Sequence, residues 1–344
     1  MTLRERLFAS WRRDADRWCL GAAVLALGAT FLHPHARVEQ PLFDHVVVFD
    51  ITQSMNVEDM QRGGKPVSRL RFARQALRDA LLRLPCGSKV GWGVFTEYRS
   101  LLLFAPVEIC ANLAELRASL DHIDNRMAWV GASEVAKGLY SGIGMAKELP
   151  GTPSLVFVTD GQEAPPVNPL HRPPFGGKAG EVSGLVVGVG ELVPSPIPKS
   201  DPQGRPLGYW GADEVMQVDP RELGRGGSVG GEKMTEDPGA SAPPLPGATP
   251  GSEQLSSLRE AYLRLLAQET GLGYLRLGDE RELAAALTAP ALARPVAADA
   301  DLRFVPALVA LLALLARHLT SRRRWRPSLR RPYNAHPGMQ DPIH

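Results

Sequence analysis

Basic charge is missing from the part of this 344-residue sequence where a nucleic-acid-binding domain would need it. The formal net charge is +2, yet twelve of the 39 lysines and arginines lie in two terminal flanks, Arg4–Arg17 and Arg317–Arg331. With the flank acids also set aside, the middle is about six charges negative, which excludes a basic nucleic-acid-binding face there. No internal repeat is visible. Cysteine is limited to three residues, Cys19, Cys86 and Cys110. No hydrophobic run is long: residues 18–32 (WCLGAAVLALGATFL) and 304–316 (FVPALVALLALLA) carry no charge, but both fall below the roughly 17–25 residues of a spanning helix. A small-x-small cleavage site behind the first run is also lacking, which favours an anchor over a removed leader.

What is present around those runs changes their reading. Arginines lie before the first and after the second, and Trp18, Trp325 and a snorkelling Arg317 extend them at an interface. The expectation is two transmembrane helices, 18–32 and 304–319, with a cytoplasmic N-terminus (1–17) and a basic cytoplasmic tail (320–344). The middle then faces outward, and Cys19 is a small hydrophobe within a span.

An apolar content of 44% is enough for a core. Between the flanks, strand and helix patterns alternate. Apolar strands are read at 45–50, 154–159 (SLVFVT) and 184–190 (GLVVGVG), and a hairpin at 89–96 and 99–107. Helices are read at 68–84, 111–123, 132–148, 257–269 and 280–287. Continuous apolar strands separated by helices predict an α/β fold: a doubly wound, mostly parallel sheet with one antiparallel edge strand. Residues 161–183 carry little helix signal, 194–210 read as a loose hairpin, and 224–255 as a flexible Gly/Pro/Ser-rich insertion.

The stretch VVVFDITQSMN (46–56) runs an apolar strand into Asp50, then sets hydroxyls at Thr52 and Ser54. Asp160 ends another strand, and Ser133 starts a helix. In a parallel α/β sheet these positions gather at the carboxyl ends of the strands. Two carboxylates and three hydroxyls, with neither thiolate nor imidazole, suit a hard divalent cation, which takes oxygen ligands and keeps some water. Each piece also has an ordinary reading: Ser133 as a helix N-cap, Thr52 and Ser54 as turn residues, Asp160-Gly161 as a turn pair.

Together they resemble the von Willebrand factor A domain and its metal-ion-dependent adhesion site, a pattern of Asp-x-Ser-x-Ser, a distant Thr, and Thr-Asp-Gly. The matching positions are Asp50, Thr52, Ser54, Ser133 and Asp160, with Thr for Ser at 52 and Ser for Thr at 133. The resemblance covers residues 42–290 and implies a Rossmann-like fold holding Mg²⁺, or Mn²⁺ or Ca²⁺, at those five residues. It also implies a non-enzymatic module that binds a partner protein's Glu or Asp carboxylate. The flanking helices resemble those of membrane-anchored bacterial members encoded beside MoxR-type ATPases, which would make such an ATPase, other domains of this type, or an envelope-stress role relevant. DITQSMNV, LPCGSKVG, LLLFAPVEIC and GYWGADEV are similar to members from methanol-oxidation gene clusters. Those members are implicated in maturing methanol dehydrogenase, including calcium insertion.

An alternative is a Mg²⁺-dependent phosphatase-like hydrolase, since Asp-x-Thr followed by Thr-Asp-Gly partly resembles the haloacid-dehalogenase phosphatases. Those need an acid two residues after the nucleophile, where this chain has Thr52. The hairpin register brings Cys86 and Cys110 to one end of the pair, within reach of a disulfide. His33, His35 and His45 read as solvated histidines near the first membrane exit, and Trp129 as either a partner anchor or a packed ring.

Overall fold

The computed structural model describes residues 3–201, 203–220, 245–246 and 251–322. Most of the expected 224–255 insertion and nearly all of the 320–344 tail lie outside the described residues. The elements are α1 (Leu3–Thr30), β1 (His35–Leu42), β2 (Asp44–Asp50), β3 (Met60–Arg62), β4 (Lys65–Val67) and α2 (Arg69–Ala80). Then come β5 (Lys89–Thr96), β6 (Arg99–Glu108), α3 (Leu113–Leu120), α4 (Val135–Glu148), β7 (Ser154–Thr159) and β8 (Gly184–Gly188). Short strands β9 (Ser195–Pro196), β10 (Pro198–Ser200), β11 (Pro206–Tyr209) and β12 (Leu255–Ser256) precede α5 (Glu260–Thr270), β13 (Gly273–Arg276), α6 (Glu280–Leu287), β14 (Arg294–Asp301) and α7 (Phe304–Arg322).

The chain divides into two units, residues 41–296 and residues 1–40 with 297–344. The larger unit is built on a six-stranded sheet in the order β13-β8-β7-β2-β5-β6. All neighbours are parallel except β5 and β6, which form an antiparallel hairpin at the edge. The apolar runs are unbroken because both faces of each strand are covered. Val47, Phe49, Val156, Val158 and Trp92 face a core shared with α2, α3 and α6. Val46, Val48, Leu155 and Phe157 face a second core with α4 and α5. One close approach needs glycine: a Cβ on Gly138 would lie 2.0 Å from the Phe95 ring, so α4 can sit against β5 only with no side chain there.

The expectation of two transmembrane helices is overturned. Among the described residues, no helix is long and apolar enough to cross a membrane. The charge-free part of α1 is Trp18–Thr30, since the helix stops before Phe31, and that of α7 is 304–316. At 1.5 Å per residue each spans about 20 Å, against roughly 30 Å of hydrocarbon. In the smaller unit α1 and α7 pack together and β1 pairs with β14. Ala23 and Ala310 are buried there, while Trp18, Leu25, Phe31 and Phe304 are exposed.

His45 is not solvated: it lies in β2 with no exposed surface. Its Nε2 donates to the carbonyl of Leu287, at the end of α6 (3.0 Å), and its Nδ1 faces the Ser154 hydroxyl at 2.6 Å. Burial lowers its pKa from 6.5 to about 4, against the opposing pull of the Leu287 carbonyl. The folded protein therefore holds a neutral ring that the unfolded chain would protonate. The stability this contributes is present above pH 6.5 and is lost as pH falls through about 4. Urea unfolding of wild type and His45→Gln at a series of pH values should show the difference between them shrinking by about 3 kcal/mol from pH 7 to pH 4. A difference independent of pH would refute the assignment.

Cys86 and Cys110 are joined by a disulfide, their Cα atoms 5.3 Å apart. Lys89 pairs with Glu108, so the bond crosses β5 and β6 just beyond the last rung of their ladder. The Glu108 carboxylate takes the N–H groups of Gly87, Cys110 and Ala111, fixing the same corner. Since those contacts hold the folded corner already, the gain from the bond lies mainly in the restricted unfolded chain. Reduction should cost about 3 kcal/mol, read as a lower urea midpoint in dithiothreitol. An unchanged midpoint would show that the bond adds nothing.

Candidate functional site

The chain enters the sheet at β2, adds β5 on one side, and later adds β7 on the other. Loops leaving β2 and β7 therefore diverge, and their strand ends open a crevice where an α/β sheet takes its ligands. The parallel register pairs Phe49 with Val158, which sets Asp50 and Thr159 side by side at the sheet edge. Thr159 Oγ1 donates to Asp50 Oδ2 at 2.6 Å. Asp50 Oδ1 accepts from the Thr52 hydroxyl (2.6 Å) and from the Thr52 N–H (2.9 Å). The Ser54 hydroxyl is 3.4 Å from that of Thr52.

Ser133 enters from a third direction. Its N–H donates to the carbonyl of Ala164 at 2.6 Å, and the Ala164 N–H returns a bond of 2.8 Å. The N–H of Glu134 donates to the carbonyl of Glu97, beside the end of β5. Ser133 is not the N-cap of α4: Glu134 occupies that position and makes no side-chain cap. The first amides of α4 are instead taken by Glu163, whose carboxylate accepts from Val135 (2.8 Å) and Ala136 (3.1 Å). Tyr262 of α5 donates to the same carboxylate at 2.6 Å. Burial pushes Glu163 up to about 7, against these hydrogen bonds. Because Glu163 does the capping, the Ser133 hydroxyl, 1% exposed, has no hydrogen-bond partner among the described residues. It lines the same cleft as Thr52 and Ser54.

Asp160 is also fully buried, and both of its carboxylate oxygens are engaged. Oδ1 accepts from the Gln162 N–H (2.9 Å), and Oδ2 takes Arg69 Nη1 (2.6 Å) with the Ser256 hydroxyl at 3.3 Å. Gly161 turns the chain at φ +81°, and a Cβ there would press to 3.0 Å on Arg259 and Leu263. Arg69 also binds Asp59 (2.6 Å) and the Ser256 carbonyl (3.0 Å), without exposed side-chain surface. Among the described residues Asp50 has no cationic partner of its own, and burial followed by the charge of Asp160 raises its pKa to about 7.

The structure thus brings Asp50, Thr52, Ser54, Ser133 and Asp160 to one edge. The expectation of a metal-binding centre is corrected in one respect. Among the described residues there is no group of three or more His, Cys, Asp and Glu side chains that could hold a metal ion. The set that remains is one carboxylate without a countercharge, one neutralised by Arg69, and three hydroxyls. That set passes a test of fit for a hard cation. Thr52 gives its proton to Asp50, so the lone pairs of its oxygen are available to the cleft, and the Ser133 oxygen has no other use.

Sequence reasoning missed Arg69, Asp59, Glu163 and the supporting Gln162, Glu253 and Arg259. Gln162 Nε2 donates to Glu253 (3.0 Å), and Arg259 donates to Gln162 Oε1 (2.9 Å). For Arg69 a signal existed: it shares the helical stripe of Phe72, Ala73, Ala76 and Ala80, all buried, where a cation needs a buried partner. Trp129 is half-exposed, and its indole N–H donates to Glu97 Oε2 at 3.0 Å.

No family model and no curated protein matches the chain. Among solved structures it is similar to a point mutant of the PilB minor pilin of Streptococcus sanguinis, at 12% identity and a TM-score of 0.36. That match covers 80% of this chain and 64% of the pilin, so the chain spans a little under two thirds of it. An uncharacterized membrane spanning protein from Vibrio fischeri aligns at 17% identity and a TM-score of 0.26, over 70% of this chain and 94% of that one. Proximal thread matrix protein 1 of the mussel byssus aligns at 16% and 0.30, over 44% and 39%. These likenesses are too distant to assign a family, and none of them supports the von Willebrand or methanol-oxidation reading, which stays a resemblance of motifs.

Proposed function

We propose that the chain is a non-enzymatic binding module. In this reading the edge cluster takes a divalent cation such as Mg²⁺ on Thr52, Ser54 and Ser133. Asp50 balances its charge through the Thr52 hydroxyl, and Asp160 acts from behind its pairing with Arg69. The cation supplies an open position for a carboxylate of a partner protein. The observation that carries this is the buried, unpartnered hydroxyl of Ser133 on the cleft of Thr52 and Ser54. A buried hydroxyl without a partner costs roughly 1–3 kcal/mol, and a cation in the cleft would remove that cost.

Hydrolysis is the weaker reading. The residues lining the cleft include no histidine, cysteine or lysine, and Asp50 is followed two positions on by Thr52, which cannot act as acid or base. The Cys86–Cys110 bond supports a location where disulfides persist, outside a reducing cytoplasm.

Calorimetric titration of the whole chain with Mn²⁺ and Mg²⁺ tests the proposal. Asp50→Ala and Ser133→Ala should each keep the wild-type circular dichroism and weaken cation binding by about tenfold or more. Asp50→Ala also removes a buried charge facing Asp160, so no loss of folding is expected. Wild-type affinity in both variants, or turnover of an aryl phosphate with Mg²⁺, would overturn the reading.

A further inference from the structure

The hydroxyl cluster is only one wall of its cleft. The cleft is about 290 Å³, and its other wall is apolar: Ile197, Trp210, Val215 and Met216, all from the segment that carries β10 and β11. That wall is fixed to the hydroxyl loop. The Trp210 indole N–H donates to Gln53 Oε1, and Gln53 lies between Thr52 and Ser54. The Trp210 N–H bonds the carbonyl of Ile197 at 3.1 Å, and Lys199 Nζ lies 4.5 Å from the centre of the Trp210 ring. The site is a slot with a polar floor and an apolar side rather than an open face.

We propose that this slot receives one acidic residue of a partner peptide together with an apolar side chain adjacent to it. The inference rests on the cation reading above and adds what the second wall selects. Size comes first. At about 290 Å³ the slot lies at the small end of ligand pockets. That suits two side chains, and neither a helix nor a broad protein face. Charge comes second. The lining carries the carboxyl groups of Glu163, Glu214 and Glu253 and no basic side chain, so nothing in it would receive a bare carboxylate, which needs a cation to enter. Glu214 is engaged by Lys199 and the Gly211 N–H, and Glu253 by Gln162, so neither is set up to receive a basic ligand. Apolar chemistry comes third. Met216 is 53% exposed and lines the slot, which leaves apolar area for a ligand group to cover.

The test uses the full chain with saturating Mn²⁺ and three blocked peptides, centred on Leu-Glu, Gly-Glu and Leu-Gln. Leu-Glu should bind about tenfold or more tighter than Gly-Glu, the gain expected from burying one apolar side chain, and Leu-Gln should not bind measurably. Met216→Gln should cancel the Leu-Glu advantage while leaving Mn²⁺ affinity unchanged. If Mn²⁺ binds but Leu-Glu and Gly-Glu are equal, the inference is wrong and the cation reading stands. If Mn²⁺ does not bind, the cation reading itself is lost. Equal binding of free hexanoate would make the occupant a small carboxylic acid and overturn the peptide assignment.

Discussion

One guanidinium orders the edge of the sheet from which the candidate site is built. Taking Arg69 out of water costs several kcal/mol unless its charge is met on all sides. It is met by Asp59, Asp160 and both oxygens of Ser256, so the first residue of α2 ties together the loops after β2 and β7 and the strand β12. Burial works against the charge, but Asp160 and Asp59 outweigh it and hold the guanidinium above its ordinary value. The reverse dependence is as strong. Without Arg69, Asp160 would be a bare buried anion beside Asp50, which has no countercharge even now.

The sheet was legible because burial on two faces leaves a plain record in sequence, and β2, β7 and β8 are written as unbroken apolar runs. The hairpin of β5 and β6 was legible from its turn, and with it the meeting of Cys86 and Cys110. Asp50, Thr52, Ser54 and Asp160 were legible because short spacings fix them on strand ends. For Ser133 it is the ordinary reading, a helix N-cap, that fails: the first amides of α4 are taken by Glu163, some thirty residues later, and only the fold brings the two together. Glu163 was missed for that reason, while Arg69 was missed because its place on the buried stripe of α2 was not read as a demand for a buried partner. The start of α5 was set three residues early, at 257, whereas the helix begins at Glu260.

The terminal helices show the opposite error. Arginine and tryptophan flanks led to a membrane reading of segments whose apolar length is insufficient. Flanking residues anchor a span, but the charge-free runs of these helices give only about 20 Å of rise against roughly 30 Å of hydrocarbon. The histidines were grouped by closeness in sequence, yet His45 lies within the sheet. A polar residue inside an apolar strand is a packing statement before it is a surface one, and its partners on Leu287 and Ser154 account for it.

The disulfide lies at the end of the hairpin away from the cleft, and it closes the one end that the chain itself leaves open. The other end is already closed by the turn at Glu97 and Tyr98, so β5 and β6 form a covalent ring of chain with no loose end from which the edge strand could peel. Glu97, in that turn, exchanges backbone hydrogen bonds with Ala132 and Glu134, on either side of Ser133. The loop that presents the hydroxyl therefore rests on a closed ring rather than on a free edge.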